Sequence, residues 1–243
     1  MSSVLILGAH SDISQAIAQR FGREGYDLIL AARRADELEP AVKDLEIRHK
    51  VQARAVEFDA VGYADHEAFY DGLDPKPEIS ICVFGLLGDQ DAARHDFSLA
   101  HRIIDSNYTG AVSILSIIAN DYQKKKAGTI IGISSVAGDR GRQSNYVYGS
   151  AKAGFTEFLA GLRNRLAHSE VHVMTVKPGF VATRMTEGMK LPGALTAQPD
   201  QVAESVFNGF RKKRHTIYTL WMWRYIMLII RHIPEFVFKK LSM

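Results

Sequence analysis

The fold class this sequence predicts is α/β: a three-layer, doubly wound, Rossmann-like parallel sheet in a single domain. Three observations predict it. Short apolar runs at 4–7, 27–32, 51–58, 79–84, 129–134 and 171–176 read as strands, several nearly continuous in apolar residues, as strands covered on both faces are. Helical patterns such as 13–24 and 36–48 alternate with them, the rhythm of βαβ units. The chain has 243 residues with no internal repeat and no low-complexity linker, so one domain over 1–243 accommodates it.

Composition narrows the class. Hydrophobic residues make up 47% and charged residues 23%, values of a globular protein rather than a disordered or fibrous one. The formal charge of +3 is slight, and the basic runs at 124–126 and 211–214 read as solvated faces, so no nucleic-acid partner is expected. Cys82, the one cysteine, lies in the apolar run ISICVFGLLG, where burial is expected and no disulfide within the chain is available. A reducing, cytoplasmic setting fits that usage, and no metal site is expected. The opening MSSVLILGAHSD is too short in apolar residues for a signal peptide and lacks a basic start, so it is expected inside the domain.

Taken in chain order, the first strand runs into GAHSDISQAIA, a strand-to-helix turn of the kind that meets a dinucleotide pyrophosphate with backbone N–H groups. Gly8, His10, Ser11, Asp12 and Ile13 are the candidate cofactor contacts there. The dinucleotide fingerprint has glycine at the places of Gly8, Asp12 and Ser14, and only the first is glycine. Asp12 is expected either to cap the helix or to turn its carboxylate away, because two anions at one helix end repel. An ordinary capped turn is the alternative reading.

After the second strand stands Ala31-Ala32-Arg33-Arg34, without the carboxylate that binds both ribose hydroxyls of NAD. Arg33 offers a guanidinium to a 2′-phosphate, which favours NADP(H) over NAD(H), unless both arginines are simply solvated. Asp59, after the third strand, is placed to accept from an adenine amine or to serve as a common loop aspartate. Asn107, in DSNYTGAV, is expected to cap a helix or to hold a relay water. The fifth strand ends in Ser134-Ser135, where doubly wound folds place ligands.

Next comes NYVYGSAKAG, with two tyrosines and one lysine. Apolar residues at Ala151, Phe155, Phe158, Leu159, Leu162 and Leu166 make a helical stripe, and residues four apart share a helix face. Tyr148 therefore pairs with Lys152, and Tyr146 does not. At ~4 Å and an effective dielectric near 20 the ammonium would favour a phenolate by roughly 4 kcal/mol, so Lys152 is expected to lower the Tyr148 pKa from ~10. The phenol can then exchange a proton with a carbonyl or alcohol oxygen.

The stretch 178–200 breaks the rhythm with prolines and glycines, and Met185, Met189 and Leu191 make 179–200 a candidate substrate lid or an ordinary surface loop with apolar pins. A helix is expected to open at Pro199. The segment 217–243 is aromatic and apolar, interrupted by Arg224, with no run long enough to cross a bilayer. Either a last strand at 217–220 precedes helices packed on the domain or on another subunit, or Trp221, Trp223, Tyr225 and Phe238 rest at a membrane surface beside cations.

These residues together resemble the short-chain dehydrogenase/reductase family over nearly the whole chain. The resemblance implies an NADP(H)-dependent oxidoreductase with Tyr148 as general acid/base and Lys152 lowering its pKa and contacting the nicotinamide ribose. Ser135 would orient the carbonyl and Asn107 complete a proton relay. Pro178, Gly179, Val181 and Thr183, in KPGFVAT, would lie beside the nicotinamide, and Asp59 matches the adenine-contacting aspartate. The sequence departs from the family at Asp12, Ser14 and the run VFGL at 83–86. The family commonly pairs subunits through its two long helices, so a homodimer or homotetramer is the implied assembly.

Within the family, FGLLGD, NYTGAVS and RYIMLIIRHIP resemble the reductase subunits of decaprenylphosphoryl-ribose 2′-epimerases. That narrower likeness implies reduction of a polyprenyl-phosphoryl 2-keto-pentose, a cell-wall arabinan precursor, and a flavin-dependent oxidase partner at the inner face of the cell membrane. Reduction of another apolar ketone, of retinoid, steroid or acyl type, and a non-catalytic NADP-binding scaffold or sensor stand as alternatives.

Overall fold

The computed structural model describes residues 2–241; Met1, Ser242 and Met243, the ends of the expected domain and C-terminal extension, lie outside the described residues. Seven parallel strands form one sheet in the order β3-β2-β1-β4-β5-β6-β9. They are β1 (Ser3–Leu7), β2 (Asp27–Ala32), β3 (Ala53–Glu57), β4 (Ile79–Cys82), β5 (Thr129–Ile133), β6 (His172–Lys177) and β9 (Thr216–Tyr218). A separate two-stranded ladder pairs β7 (Phe180–Val181) with β8 (Thr196–Ala197).

Alternation along each strand explains the near-continuous apolar runs. Val4, Ile6, Leu28 and Leu30 face one core with Ile17, Phe21, Val206 and Phe207. Those partners belong to α1 (Asp12–Gly22) and α8 (Pro199–Arg211), beside α2 (Glu39–His49). Leu5, Leu7, Ile29 and Cys82 face a second core on the opposite side. It is built from α3 (His66–Asp71), α6 (Gly110–Lys125) and α7 (Tyr146–Leu166). Both strand faces are dry, and apolar side chains are required on both. Cys82 is buried, and that burial pushes its thiol up to about 12, as expected of an inert core cysteine.

The order reverses between β1 and β4, which leaves a crevice at the carboxyl ends of those strands. Gly8 marks the exit of β1 with φ +92, and a Cβ there would stand 2.7 Å from the backbone nitrogen of Phe84. The expected fourth strand stops two residues early, because Val83 and Phe84 both donate to the Leu7 carbonyl and the chain then leaves the sheet. It passes through α4 (Gln90–Ala93) and α5 (Phe97–Ile104), then a π-helical turn at Asp105–Thr109, before α6. Pro199 opens α8 as its first residue, with Gln198 and Gln201 forming a reciprocal cap.

After β9 the chain forms α9 (Met222–His232) and α10 (Glu235–Phe238). Trp223 and Met227, four apart, are buried against Val136, while Trp221, Tyr225, Leu228 and Ile229 are exposed. Trp223 therefore does not share the outward position expected for it. Phe238 is half-buried and carries the Arg140 guanidinium 4.0 Å above its ring centroid. Among the described residues no helix is long and apolar enough to cross a membrane.

Arg140 ties this terminal layer down. Its Nη1 donates to the carbonyls of Ile230, Arg231 and Ile233, and its Nη2 donates to Glu235 at 2.8 Å. These acceptors include the last carbonyls of α9, which a helix cannot satisfy from within. Arg140→Ala is expected to weaken the docking of α9 by about 2 kcal/mol, read as faster amide hydrogen exchange in residues 222–232 with the central sheet unchanged.

Candidate active site

A cleft opens at the carboxyl ends of β4, β5 and β6, and Ser135, Tyr148 and Lys152 all line it. Ser135 follows β5; its hydroxyl accepts from the Ala137 N–H at 3.1 Å. Its neighbour Ser134 is turned inward, donating to the Lys152 carbonyl at 3.0 Å. Both serines border the cleft, but the Ser134 hydroxyl is engaged with the Lys152 carbonyl and Thr156, which leaves Ser135 as the one to meet a substrate oxygen. Tyr148 sits in the first turn of α7, and Lys152 lies one turn on with its Nζ 5.8 Å from the Tyr148 ring centroid.

The electrostatics differ from the sequence expectation. Burial raises the Tyr148 phenol to about 12, with the Ser135 hydroxyl beside it pulling the other way. Burial likewise lowers Lys152 to about 8. The net shift of the phenol is nevertheless upward, because both groups have lost water, Nζ donates to the Ile133 carbonyl at 3.1 Å, and burial outweighs the attraction of the ammonium. The phenol is thus held protonated at neutral pH.

Asn107 is buried on the π-helical turn. Its amide nitrogen donates to the carbonyls of Leu86 and Ile103, and its Oδ1 accepts from the Leu86 N–H at 3.3 Å. The side chain does not cap α6, which corrects that reading, and both of its N–H groups are engaged, so a relay water could meet the amide only at Oδ1. It holds the strand exit at Leu86 against the cleft. A Cβ at Gly85 would come within 2.5 Å of Asn107 Oδ1 and 3.2 Å of Lys152 Nζ, so Gly85 admits the close approach of all three.

At the other end of the crevice Ser11, not Asp12, caps α1: its Oγ accepts from the Ser14 N–H at 3.1 Å. The two departures from the glycine fingerprint are accommodated locally. Ser14 is buried and donates to the Gly8 carbonyl at 2.7 Å, so its side chain does not project. Asp12 turns its carboxylate to the backbone N–H of Arg184 at 2.8 Å and to its guanidinium at 3.1 Å. Arg184 also donates to the His10 carbonyl, and the His10 ring bonds the Arg33 carbonyl at 2.8 Å.

The first N–H groups of α1, at Asp12 and Ile13, remain as donors for an anion. Arg33 is exposed, and among the described residues its side chain has no hydrogen bond, whereas Arg34 is paired with Glu37 at 2.8 Å. Asp59 accepts from the Val61 N–H at 3.1 Å with one oxygen. Pro178, Gly179, Val181 and Thr183 line the cleft beside Ile13. A glycine turn at a helix start, a neutralised Asp12 and a free cation at the end of β2 fit a dinucleotide phosphate.

The 179–200 stretch returns on itself through the β7 and β8 ladder and carries Met185 and Met189 to the cleft. Sequence reasoning missed Arg142, Asn145 and Trp223 as lining residues. Trp223 packs its indole against Gly179, where no Cβ fits, and donates to the Leu195 carbonyl at 3.0 Å. The aromatic character of α9 was visible, but which of its rings turn inward depends on the pitch of a helix whose docking no local pattern announces.

The profile of the short chain dehydrogenase family matches residues 2–191. An uncharacterised oxidoreductase of Mycobacterium tuberculosis is 34% identical over 241 residues, covering 98% of this chain and 96% of that protein. A sulfoacetaldehyde reductase of Chromohalobacter salexigens is 31% identical over 191 residues, covering 75% of this chain and 74% of the relative. A short-chain dehydrogenase from Sphingobium yanoikuyae, solved in complex with NADPH, superposes with a TM-score of 0.83 at 23% identity, covering 97% of each chain.

Proposed function

The chain belongs to the short-chain dehydrogenase family, and from that premise we propose that it is an NADPH-dependent reductase converting a ketone to a secondary alcohol. The observation that carries this reading is the convergence of Ser135, Tyr148 and Lys152 on one cleft that continues to Ile13 at the start of α1. When bound, the nicotinamide supplies a hydride to the carbonyl carbon. Ser135 offers a hydroxyl to the carbonyl oxygen, and Tyr148, protonated at neutral pH, gives that oxygen its proton. Lys152 in its ammonium form stabilises the phenolate left behind.

The N–H groups of Asp12 and Ile13 would hold the pyrophosphate, Arg33 the 2′-phosphate, Asp59 the adenine amine, and Thr183 the nicotinamide end. Preference for NADP(H) rests on Arg33. Arg33→Ala is expected to weaken NADPH binding about tenfold to a hundredfold, the value of one or two charge-assisted hydrogen bonds, with NADH binding unchanged. Titration of nicotinamide fluorescence with both nucleotides checks it, and equal losses for the two would remove Arg33 from that role.

The substrate reading that the sequence likeness favours is an amphiphilic keto sugar, a polyprenyl-phosphoryl 2-keto-pentose made by a flavin-dependent oxidase partner. An apolar wall of Trp223, Met185 and Met189 supports an amphiphile. So does the exposed face of α9, with Trp221, Tyr225, Leu228 and Ile229 beside the exposed cations Arg224 and Arg231, a pattern suited to an anionic membrane surface. The likeness to a sulfoacetaldehyde reductase favours a second reading, a small anionic aldehyde. Turnover of NADPH with each substrate separates the two.

A further inference from the structure

Arg140 and Arg142 stand two residues apart and have opposite fates. Arg140 is saturated by three carbonyls and Glu235. Arg142 lines the cleft, and its Nη2 donates only to the sulfur of Met227, a buried residue of α9 behind the cleft wall, at 3.4 Å. Its Nε is buried and has no hydrogen-bond partner, and among the described residues no carboxylate forms an ion pair with it. The neighbouring acid, Asp139, is occupied by Lys177 at 2.5 Å and by the Tyr218 hydroxyl at 2.8 Å.

Asn145 belongs to the same turn, its N–H donating to the Arg142 carbonyl at 3.2 Å. It lines the cleft too, and its Oδ1 is buried without a partner. The cleft carries Arg142, Lys152 and Tyr148 as its titratable groups and no acid. A guanidinium taken out of water without a carboxylate is unfavourable, and its planar fork of donors matches the oxygens of a carboxylate, sulfonate or phosphate. Burial holds the Arg142 guanidinium below its ordinary pKa, yet arginine stays cationic at working pH.

We infer that Arg142 is the specificity-determining residue of the cleft, binding an oxyanion on the substrate while Ser135 and Tyr148 hold the carbonyl. The substrate class is therefore a ketone or aldehyde that also carries a carboxylate, sulfonate or phosphate. The oxyanion is met by the guanidinium on the side where Arg142 lines the cleft, next to Tyr148 and Ser135. This inference rests on the reductase reading for the identity of the second group but not for the anion site itself.

Two measurements on the full chain with NADP+ present separate them. The first titrates octanesulfonate against the neutral octyl methyl sulfone, followed by tryptophan fluorescence, since Trp223 lines the cleft. Sulfonate is expected to bind at least tenfold more tightly than sulfone, Arg142→Gln to abolish that preference without changing sulfone binding, and Arg142→Lys to restore part of it. The second compares NADPH-dependent reduction of 3-oxooctanoate and its methyl ester, where R142Q is expected to raise KM for the acid alone and leave kcat in place. Equal binding of sulfonate and sulfone, or a preference that survives in R142Q, overturns the anion site. A sulfonate preference lost in R142Q with no reduction of either ketone supports the anion site and sinks the reductase reading. Reduction of acid and ester at equal efficiency does the reverse.

Discussion

Tyr148→Phe is expected to lower kcat by about a thousandfold, within the 10²–10⁴ range that a positioned proton donor contributes, while the dissociation constant for NADPH stays within twofold. The substitution removes one hydroxyl from a half-buried ring and leaves the ring and its packing on α5 in place. What is lost is the proton that the carbonyl oxygen needs as hydride arrives. Because burial holds the phenol at about 12, wild-type Tyr148 carries that proton at neutral pH and acts as an acid in the reductive direction. Single-turnover reduction with pre-bound NADPH isolates the chemical step from binding. Tyr146 supplies the control: it is 44% exposed and has no part in the Ser135–Lys152 group, so Tyr146→Phe should keep a rate within twofold of wild type. A Tyr148→Phe rate near wild type would remove Tyr148 from the reaction.

Much of the architecture was legible because its determinants are local. Val4 to Leu7 must be apolar at every position since successive side chains enter two different cores, and the same holds in β2 and β5. The spacing of Tyr148 and Lys152 on one helix face was legible for the same reason. The sign of the pKa shift was not, because it depends on how much water the folded cleft excludes, which spacing does not encode. The partner of Asp12 was also hidden: Arg184 stands 172 residues away and meets it only because the segment after β6 crosses to the start of α1. Arg140 and Arg142 look alike in sequence, and only the arrival of α9 makes one a clasp and leaves the other unpaired in the cleft.

The depressed Lys152 pKa leads to a second large effect, in which activity and stability move in opposite directions with pH. The ammonium of Lys152 stabilises the phenolate that forms when Tyr148 gives up its proton. With Nζ 5.8 Å from the ring centroid and an effective dielectric near 20, that attraction is about 3 kcal/mol, or roughly a hundredfold in rate. Lys152 is at about 8, so kcat/KM for reduction is expected to be level below pH 7 and to fall as pH rises through 8, toward a floor about a hundredfold lower. Lys152→Met should start near that floor and lose the inflection. Folding stability runs the other way. The folded state holds Lys152 at about 8 against its ordinary value of 10.5, so between these values the unfolded chain binds the extra proton. Well below pH 8 both states are charged and the folded state bears the full burial penalty; well above pH 10.5 both are neutral and the penalty is gone. Stability should therefore rise by about 3 kcal/mol from this group across that window, a gain that Lys152→Met would not show. Rate profiles with a neutral ketone, which leaves Arg142 out of the titration, and denaturant unfolding at pH 7 and pH 10 check both limbs. A rate that stays flat to pH 10 would mean that the charge on Lys152 does not assist the proton transfer.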